Sequence, residues 1–355
     1  MKLAILGPAF SGKTTVFNAL TGAEEALSDF SGSGTSHQRD VAVPDARLDR
    51  VAADHSTKKI TPARVEFLDL PAYGGSEKFF ADARQNQALI IVVRAFESGL
   101  VPHPNSKIDW KSDLEGIQTD FVLQDLAMIE RRIERIEATI KKSKNKKEDM
   151  EELELLKRVQ PGLEEGVPLK KSLAPDEQEV FRNFAFLTLK PTLTLVNIGD
   201  DDDPTALGVP AFDEAAVSGN DDAVIPIRAR LEAEVAQLDE EDRAEFLTDF
   251  GLSEPIREVL IRLSYALLGQ ISFLTGTGPK EARAWTIPRG SSAVDAARQI
   301  HSDIARGFIR AEVVGWSDYE THGGWKGARN AKSCRLEGRD YVVQDGDLIE
   351  FRHGG

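Results

Sequence analysis

The chain has 355 residues, 41% of them apolar, and its formal net charge is −15, from 44 Lys/Arg and 59 Asp/Glu residues. This length allows a large core divided over about two or three domains, and the acidic balance argues against general binding to nucleic acid, so no DNA partner is expected. The one cysteine, Cys334, excludes an internal disulfide, and no apolar run reaches the roughly 18 residues that would cross a membrane, so we expect a cytoplasmic protein without a membrane partner.

The first predicted element is a strand over residues 2–6 that leads into a glycine-rich turn and then a helix. Gly7 and Gly12 bracket four residues and are followed by Lys13 and Thr14, which is the spacing of a Walker A phosphate loop. In such a loop the backbone N–H groups surround a polyphosphate, and the helix presents its positive N-terminal end to the same anion. We expect the nucleotide phosphates to contact Gly7, Pro8, Ala9, Phe10, Ser11, Gly12, Lys13, Thr14 and Thr15.

A Mg²⁺ site is predicted beside this loop. The predicted strand over residues 63–69 ends in Asp69 after apolar residues, which is the Walker B arrangement. Thr14 would bind the metal and Asp69 would order a water of its shell, while Lys13 would meet the β and γ phosphates of ATP or GTP. Lys13, Thr14 and Asp69 are therefore the candidate catalytic residues, and Thr14 and Asp69 the candidate metal residues.

Two segments occupy the positions of the phosphate-sensing switches of signalling nucleotidases. The polar stretch 28–40 offers Ser33, Thr35 and Ser36 as metal contacts, with a plain flexible loop as the alternative. In the second segment, Ala72 stands where a glycine N–H would meet the γ-phosphate, and no glutamine follows to orient an attacking water. Between the two, Asp45 is expected to cap a helix that begins at residue 46.

The apolar pattern changes from about Gln118 to alternating spacings of four and three residues, which indicates a heptad seam. We predict an antiparallel helical hairpin, with a lysine-rich tip at residues 141–147 that is either a solvated turn or a contact for nucleic-acid phosphates. Strands are expected to resume at Leu187 and over residues 191–196. The predicted seams consist of Val122, Leu126, Ile129, Ile133, Ile136 and Ile140, and of Met150, Leu153, Leu156, Val159 and Leu163.

Asn197 and Asp200 follow the strand over residues 191–196 and are candidates for binding the base. They keep the spacing of the Asn-Lys-x-Asp tetrad of GTPases, in which Asn grips the phosphate loop and Asp pairs with the guanine edge. Ile198 replaces the lysine of that tetrad. Since adenine reverses donor and acceptor on that edge, the choice between ATP and GTP stays open, and an acidic surface turn is the alternative.

Residues 239–278 are expected to be mostly helical, and residues 280–355 to form a small β-grasp-like module. Strands are predicted over 284–287 and 308–314, with a helix between them capped by Ser291 or Ser292, and a hairpin joins 341–343 to 348–351. The basic side chains of this module form either an RNA-facing patch or, as its near-neutral charge favours, an ordinary mixed surface; they are Arg306, Arg310, Lys326 and Arg329.

The chain resembles the YchF family of Obg-like P-loop nucleotidases over nearly its whole length. The similarity is densest at Val43–Asp49, Arg94–Glu97, Glu164–Leu169 and from Leu252 onward. It implies an α/β fold: a P-loop NTPase with a doubly wound, mostly parallel sheet (residues 1–117 and 181–278), an inserted antiparallel helical hairpin (118–180) and a C-terminal TGS-like β-grasp domain (279–355). It also implies hydrolysis of ATP or GTP, with ATP commonly preferred, and association with ribosomes.

The departures from the family pattern concern the switches and the base. Phe10 stands where relatives usually have asparagine, the second switch is shortened to residues 71–75, and Asp200 replaces a glutamate. Three functions stay open: a slow Mg²⁺-dependent nucleotidase acting as a ribosome- or RNA-associated switch, a nucleotide-binding module without hydrolysis, and a P-loop small-molecule kinase. The hairpin and the β-grasp tail argue against the kinase, and the sequence does not indicate the oligomeric state.

Overall fold

The computed structural model describes residues 1–23, 37–99, 101, 107–142, 147–210, 222–249 and 254–354. The strands in these ranges are β1 (Lys2–Leu6), β2 (His37–Ala42), β3 (Ile60–Thr61), β4 (Arg64–Asp69), β5 (Ala88–Arg94), β6 (Thr192–Asn197), β7 (Ala223–Ile227), β8 (Gln270–Thr275), β9 (Ala282–Pro288), β10 (Phe308–Val314), β11 (Arg335–Glu337) and β12 (Leu348–His353). The helices are α1 (Lys13–Thr21), α2 (Ala46–Asp54), α3 (Glu77–Arg84), α4 (Trp110–Lys142), α5 (Lys147–Glu164), α6 (Leu169–Ser172), α7 (Pro175–Val180), α8 (Ala229–Val235), α9 (Glu240–Asp249), α10 (Ile256–Leu267), α11 (Ala293–Ile300), α12 (Ser302–Arg306), α13 (Trp316–Thr321) and α14 (Trp325–Asn330).

The first sheet has six strands in the order β2-β4-β1-β5-β6-β7, and it confirms the expected mixed α/β fold. Its strands run parallel except β2, which is antiparallel to β4. Every residue of β5 and β6 is buried, as expected for central strands covered on both faces. Because parallel strands end at one edge, β1, β4, β5 and β6 deliver their last residues to the same side of the sheet.

Helices α4 and α5 pack against each other through an apolar seam that includes Ile129, Ile133 and Leu156. Charged pairs support this contact, with Arg132 Nε 2.6 Å from Glu152 Oε1 and Lys157 Nζ 2.6 Å from Glu137 Oε1. Met150, predicted in the seam, is instead 46% exposed. The tip residues 143–146 lie outside the described ranges.

The first of these helices begins earlier than the sequence predicted, at Trp110 rather than near Gln118. Asp109 Oδ1 accepts a hydrogen bond from Ser112 N, and Ile117 and Phe121 pack against the first sheet, so the initial turns face the sheet and carry no heptad signal. The strand predicted at Leu187 is wrong as well, because residues 187–189 form a 3₁₀ turn.

That turn is held by a buried carboxylate of α4. Asp125 is fully buried and accepts hydrogen bonds from Leu187 N at 3.0 Å and Thr188 N at 2.7 Å. It also pairs with Arg84 at 2.8 Å. The long helix is therefore held by hydrogen bonds to the turn that precedes β6 and to the end of α3, as well as by apolar contacts with the first sheet.

The second sheet has six strands in the order β11-β10-β12-β8-β9-β3. Its strands β8 and β3 were not predicted: β8 lies in the stretch expected to be mostly helical, and β3 lies far upstream at residues 60–61. The hairpin predicted between 341–343 and 348–351 is wrong, because β12 pairs with β10 and β8. The turn before β12 binds β8 instead, with Gly346 N donating to Ser272 O at 2.8 Å.

One apolar core cluster extends across both sheets. It contains Phe17 and Val51 from the first part of the chain together with Leu274, Val314 and Leu348 from the second sheet. The C-terminal sheet therefore packs directly on the first part of the chain.

Candidate functional site

The predicted phosphate loop joins β1 to α1 at the edge where the parallel strands end. Helix α1 begins at Lys13, and Gly12 precedes it with a φ of 91°, a left-handed conformation that glycine adopts readily. Among the described residues no side chain caps this helix end. Its first N–H groups and the positive end of its dipole are thus available to an anion.

The conformation of the loop is fixed by close contacts with two neighbouring strands. A Cβ atom added at Gly7 would lie 2.1 Å from the carbonyl oxygen of Val92, and one at Gly12 would lie 2.2 Å from Asn197 Nδ2. Phe10 has a φ of 63°, which bulky residues rarely adopt. Glycine is therefore required at position 7 by space, and at position 12 by space and by backbone conformation.

Thr14 and Asp69, predicted to act together on a metal, lie in direct contact. Thr14 Oγ1 donates a hydrogen bond to Asp69 Oδ2 at 2.9 Å. Asp69 is the last residue of β4 and only 4% exposed. Its second oxygen, Oδ1, is buried without a hydrogen-bond partner among the described residues.

These two residues fit Mg²⁺ in the manner of a phosphate-loop site. Mg²⁺ usually takes one or two carboxylates together with substrate phosphates and waters, rather than an all-protein cage. The described ranges contain no group of three or more His, Cys, Asp or Glu residues able to hold a metal. A hydroxyl next to an unsatisfied carboxylate oxygen supplies the donors that such a shared site needs.

Lys13 and Asp69 influence each other's protonation. Burial lowers the pKa of Lys13, and the Asp69 carboxylate partly offsets that effect. Burial likewise raises the pKa of Asp69, against the opposing effects of the Lys13 charge, the Thr14 hydrogen bond and His37. An anion bound at the loop would favour the charged form of Lys13, because opposite charges stabilise each other most where water is excluded.

Asn197 connects the loop to the last part of the first sheet. It is 5% exposed at the end of β6; its Nδ2 donates to Ser11 O at 3.1 Å, and its Oδ1 accepts from Ala229 N of α8 at 3.2 Å. The structure thus brings Asn197 to the phosphate loop, as the sequence led us to expect.

Asp200 lies at the same edge, but its carboxylate is already paired. Arg230 Nε donates to Asp200 Oδ2 at 2.9 Å, and Arg230 Nη2 contacts the same oxygen. Arg228 donates to the carbonyl oxygens of Asp200 and Asp202, each at 2.8 Å. Neither arginine was predicted, because they follow Asp200 by 28 and 30 residues and no motif marks them.

The predicted switch segments are described only in part. Ser33, Thr35 and Ser36 lie outside the described residues. In the second segment, Tyr73 N donates to Gly7 O at 3.0 Å, which holds the residues next to Ala72 against the phosphate loop. Gln87 lies at the opposite edge of the sheet, where its Oε1 accepts a hydrogen bond from Lys2 N.

A cavity of about 650 Å³ lies away from this site, between the start of α2, helix α10 and the second sheet. Its wall includes Asp45, Arg47, Glu258, Arg289 and Asp345, and none of the residues predicted to contact phosphate. Across the described ranges, no helix has the length and apolar character that a bilayer crossing requires.

Comparison with known proteins gives concordant matches. Residues 270–354 match the family model YchF-GTPase_C, described as "Protein of unknown function (DUF933)". The chain is 37% identical over 361 residues to the "Ribosome-binding ATPase YchF" of Haemophilus influenzae, which covers 99% of this chain and 98% of that protein. It is 36% identical over 361 residues to the protein of the same name in Bacillus subtilis, covering 98% of each.

A solved structure matches the whole fold. The Schizosaccharomyces pombe YchF GTPase superimposes with a TM-score of 0.83 at 24% sequence identity, covering 99% of this chain and 97% of that one. At 24% identity this similarity is evidence for the fold alone.

Proposed function

The chain belongs to the YchF family, and from this premise we propose that it binds and slowly hydrolyses a purine nucleotide with Mg²⁺ and acts as a ribosome-associated switch. The observation that carries the proposal is the contact between the phosphate loop and the end of β4, where Thr14 Oγ1 lies 2.9 Å from Asp69 Oδ2. The names of the relatives in Haemophilus influenzae and Bacillus subtilis support both the ATPase activity and the ribosome as partner.

In this proposal the backbone and the side chains of the loop bind different parts of the phosphate chain. The N-terminal N–H groups of α1 and the left-handed turn at Gly12 bind phosphate oxygens, and Lys13 supplies a positive charge to the β and γ phosphates. Thr14 and Asp69 would hold Mg²⁺. When bound, the metal would neutralise charge that develops on the phosphates.

We propose that ATP binds at least as well as GTP. Guanine selection by Asp200 needs a carboxylate free to accept two hydrogen bonds, and here Arg230 competes for that carboxylate. Ile198 also lacks the charged stem that stacks over guanine in the GTPase tetrad. Asn197, by contrast, acts on the loop and favours neither base.

We also propose the finer domain organisation that the sequence suggested. The NTPase domain carries an inserted helical hairpin, for which we move the start from residue 118 to 110, where α4 begins. For the TGS-like β-grasp domain we move the start from residue 279 to 270, because β8 belongs to the second sheet and the family match begins there. A ribosomal partner implies that the protein works in the cytoplasm.

The test is equilibrium binding of ATP and GTP, with and without Mg²⁺, followed by single-turnover hydrolysis with purified ribosomes. Lys13→Ala is expected to weaken nucleotide binding at least a hundredfold, since it removes about two charge-assisted hydrogen bonds. Lys78→Ala, which removes an exposed lysine elsewhere, is the matched control and should bind as the wild type does.

Each alternative function has its own signature in the same experiment. Nucleotide bound with no hydrolysis above the Lys13→Ala background would indicate a binding module without hydrolysis. Phosphoryl transfer to a metabolite would indicate a small-molecule kinase. Absence of nucleotide binding by the wild type would overturn all three.

A further inference from the structure

A continuous extended segment runs from the second sheet to the candidate metal carboxylate. Strand β3 pairs with β9 in the second sheet, with Ile60 opposite Ala282 and Thr61 opposite Arg283. After two connecting residues the chain enters β4 of the first sheet, which ends at Asp69. Asp69 and the residues that are hydrogen-bonded into the other sheet therefore belong to one short segment.

The neighbouring strand, β2, makes a second connection. It lies antiparallel to β4, with His37 opposite Asp69 at one end and Ala42 opposite Arg64 at the other. Three residues further on, Asp45 caps α2 by accepting a hydrogen bond from Arg47 N at 3.0 Å. The start of α2 is thus tied through β2 to the same carboxylate.

Arg47 bridges this point to the C-terminal sheet. Its Nε lies 2.9 Å from Asp45 Oδ1, and its Nη1 lies 2.8 Å from Asp345 Oδ2. Asp345 also accepts a hydrogen bond from Ser272 N of β8 at 2.9 Å. A Cβ at Gly346 would lie 2.6 Å from Arg47 Nη1, so the glycine lets the arginine approach.

The Arg47–Asp345 pair borders open space. Both residues line the cavity of about 650 Å³, and their side chains are 25% and 42% exposed. The ion pair can separate into that space without displacing core atoms.

We propose that residues 42–69 couple nucleotide occupancy at the phosphate loop to the packing of the second sheet against the first part of the chain. Arg47 is the positioning residue of this segment. The coupling rests on the proposed function, since a nucleotide must bind near Asp69. By linkage it is reciprocal: a partner that shifts the C-terminal sheet changes nucleotide affinity by the same factor. The two-state element is the Arg47–Asp345 pair, formed or open.

The experiment measures amide hydrogen exchange of residues 270–288 with and without a non-hydrolysable ATP analogue and Mg²⁺, together with the affinity for that analogue. In the wild type the analogue should change the rate of amide exchange in this segment about fivefold or more, which is the lower end of the usual range of coupling between two sites. Arg47→Gln should abolish the change and weaken binding by about the same factor. Adding Asp345→Asn should have no further effect, because both substitutions open one contact.

Arg298→Gln is the matched control. It removes an arginine from the exposed pair with Asp295 in α11, in the C-terminal part of the chain that also forms most of the second sheet. Amide exchange and affinity for the analogue should both stay at wild-type values. If Arg47→Gln does not fold, Asp345→Asn provides the same test, because its amide oxygen still accepts from Ser272 N.

The outcomes separate this proposal from the proposed function. Binding without a change in exchange over 270–288, or the same change in Arg47→Gln as in the wild type, would overturn the coupling and leave the nucleotidase intact. No binding to the wild-type protein would refute the proposed function and the coupling with it.

Discussion

The phosphate end and the base end of the proposed nucleotide site are held by different kinds of contact. At the phosphate end, Gly7 and Gly12 are enclosed by backbone and buried side chains, and Thr14 is bonded to a carboxylate that is 4% exposed. At the base end, Asp200 is held by Arg230, whose side chain is 77% exposed. Buried contacts leave little freedom to vary a residue, whereas an exposed ion pair contributes little and can be replaced.

The loop keeps the spacing that phosphate chemistry demands, whereas the carboxylate of Asp200 is paired with Arg230. The two ends are joined by Asn197, which contacts the loop through Ser11 and helix α8 through Ala229.

Breaking that junction should have the largest effect. Asn197→Ala leaves Ser11 O and Ala229 N buried without partners, so we expect the free energy of unfolding to fall by about 3 kcal/mol. Nucleotide affinity should fall as well, because Gly12 loses the neighbour against which it packs. Denaturant unfolding and nucleotide titration measure the two effects.

Asn86→Ala is the control that separates a loss of stability from a change in the geometry of the nucleotide site. Asn86 is 2% exposed and bonds within its own helix region, with Nδ2 2.8 Å from Asp82 O. It should lower stability without changing nucleotide affinity. Equal loss of affinity in the two variants would show that Asn197 has no special link to the loop.

A pH-dependent change of intermediate size in the free energy of unfolding is expected from Glu232 in α8, the helix that also carries Arg230. Burial raises the pKa of Glu232 from 4.5 to about 7, against hydrogen bonds from the backbone of Arg257 and Ile256. Between pH 4.5 and about 7 the folded state binds a proton on Glu232 that the unfolded state lacks. The stability that this proton contributes is therefore present at low pH and lost as pH rises through about 7.

Glu232→Gln should therefore increase the free energy of unfolding at high pH and leave it unchanged at low pH. A shift of this size gives about 2 to 3 kcal/mol near pH 8 and almost nothing near pH 4.5. Denaturant unfolding at both pH values, with exposed Glu241→Gln as control, measures the difference. A gain of equal size at both pH values would rule out titration of Glu232 as the cause.

The smallest effect should come from freeing Asp200. Arg230→Gln removes its cationic partner, and we expect the ratio of GTP to ATP affinity to rise by about threefold, within the range of exposed ion pairs. The double variant Arg230→Gln/Asp200→Asn should return to the wild-type ratio. An unchanged ratio in the single variant would exclude Asp200 from contact with the base.

Much of the phosphate end could be predicted because its signals are local in sequence. The spacing from Gly7 to Thr14 follows from the geometry of a turn around phosphate, and an aspartate after apolar residues marks the end of a buried strand, as Asp69 does. Asp45 was likewise expected to cap a helix, and its side chain accepts from Arg47 N at 3.0 Å. Heptad spacing identified the two long helices but missed the turns of α4 that face the sheet.

Contacts between distant parts of the chain were decided by the tertiary structure alone. Arg47 meets Asp345 across 298 residues, and β3, only two residues long, is a strand because β9 lies beside it. The sequence by itself indicated the phosphate loop and the strand end at Asp69, since the spacing of a turn and a run of apolar residues are local signals. The contact between Thr14 and Asp69 required β4 to lie beside β1. Which side chains surround Asp200, and how the second sheet is tied to Asp69, depended on long-range packing, which leaves no periodic or spacing signal in the sequence.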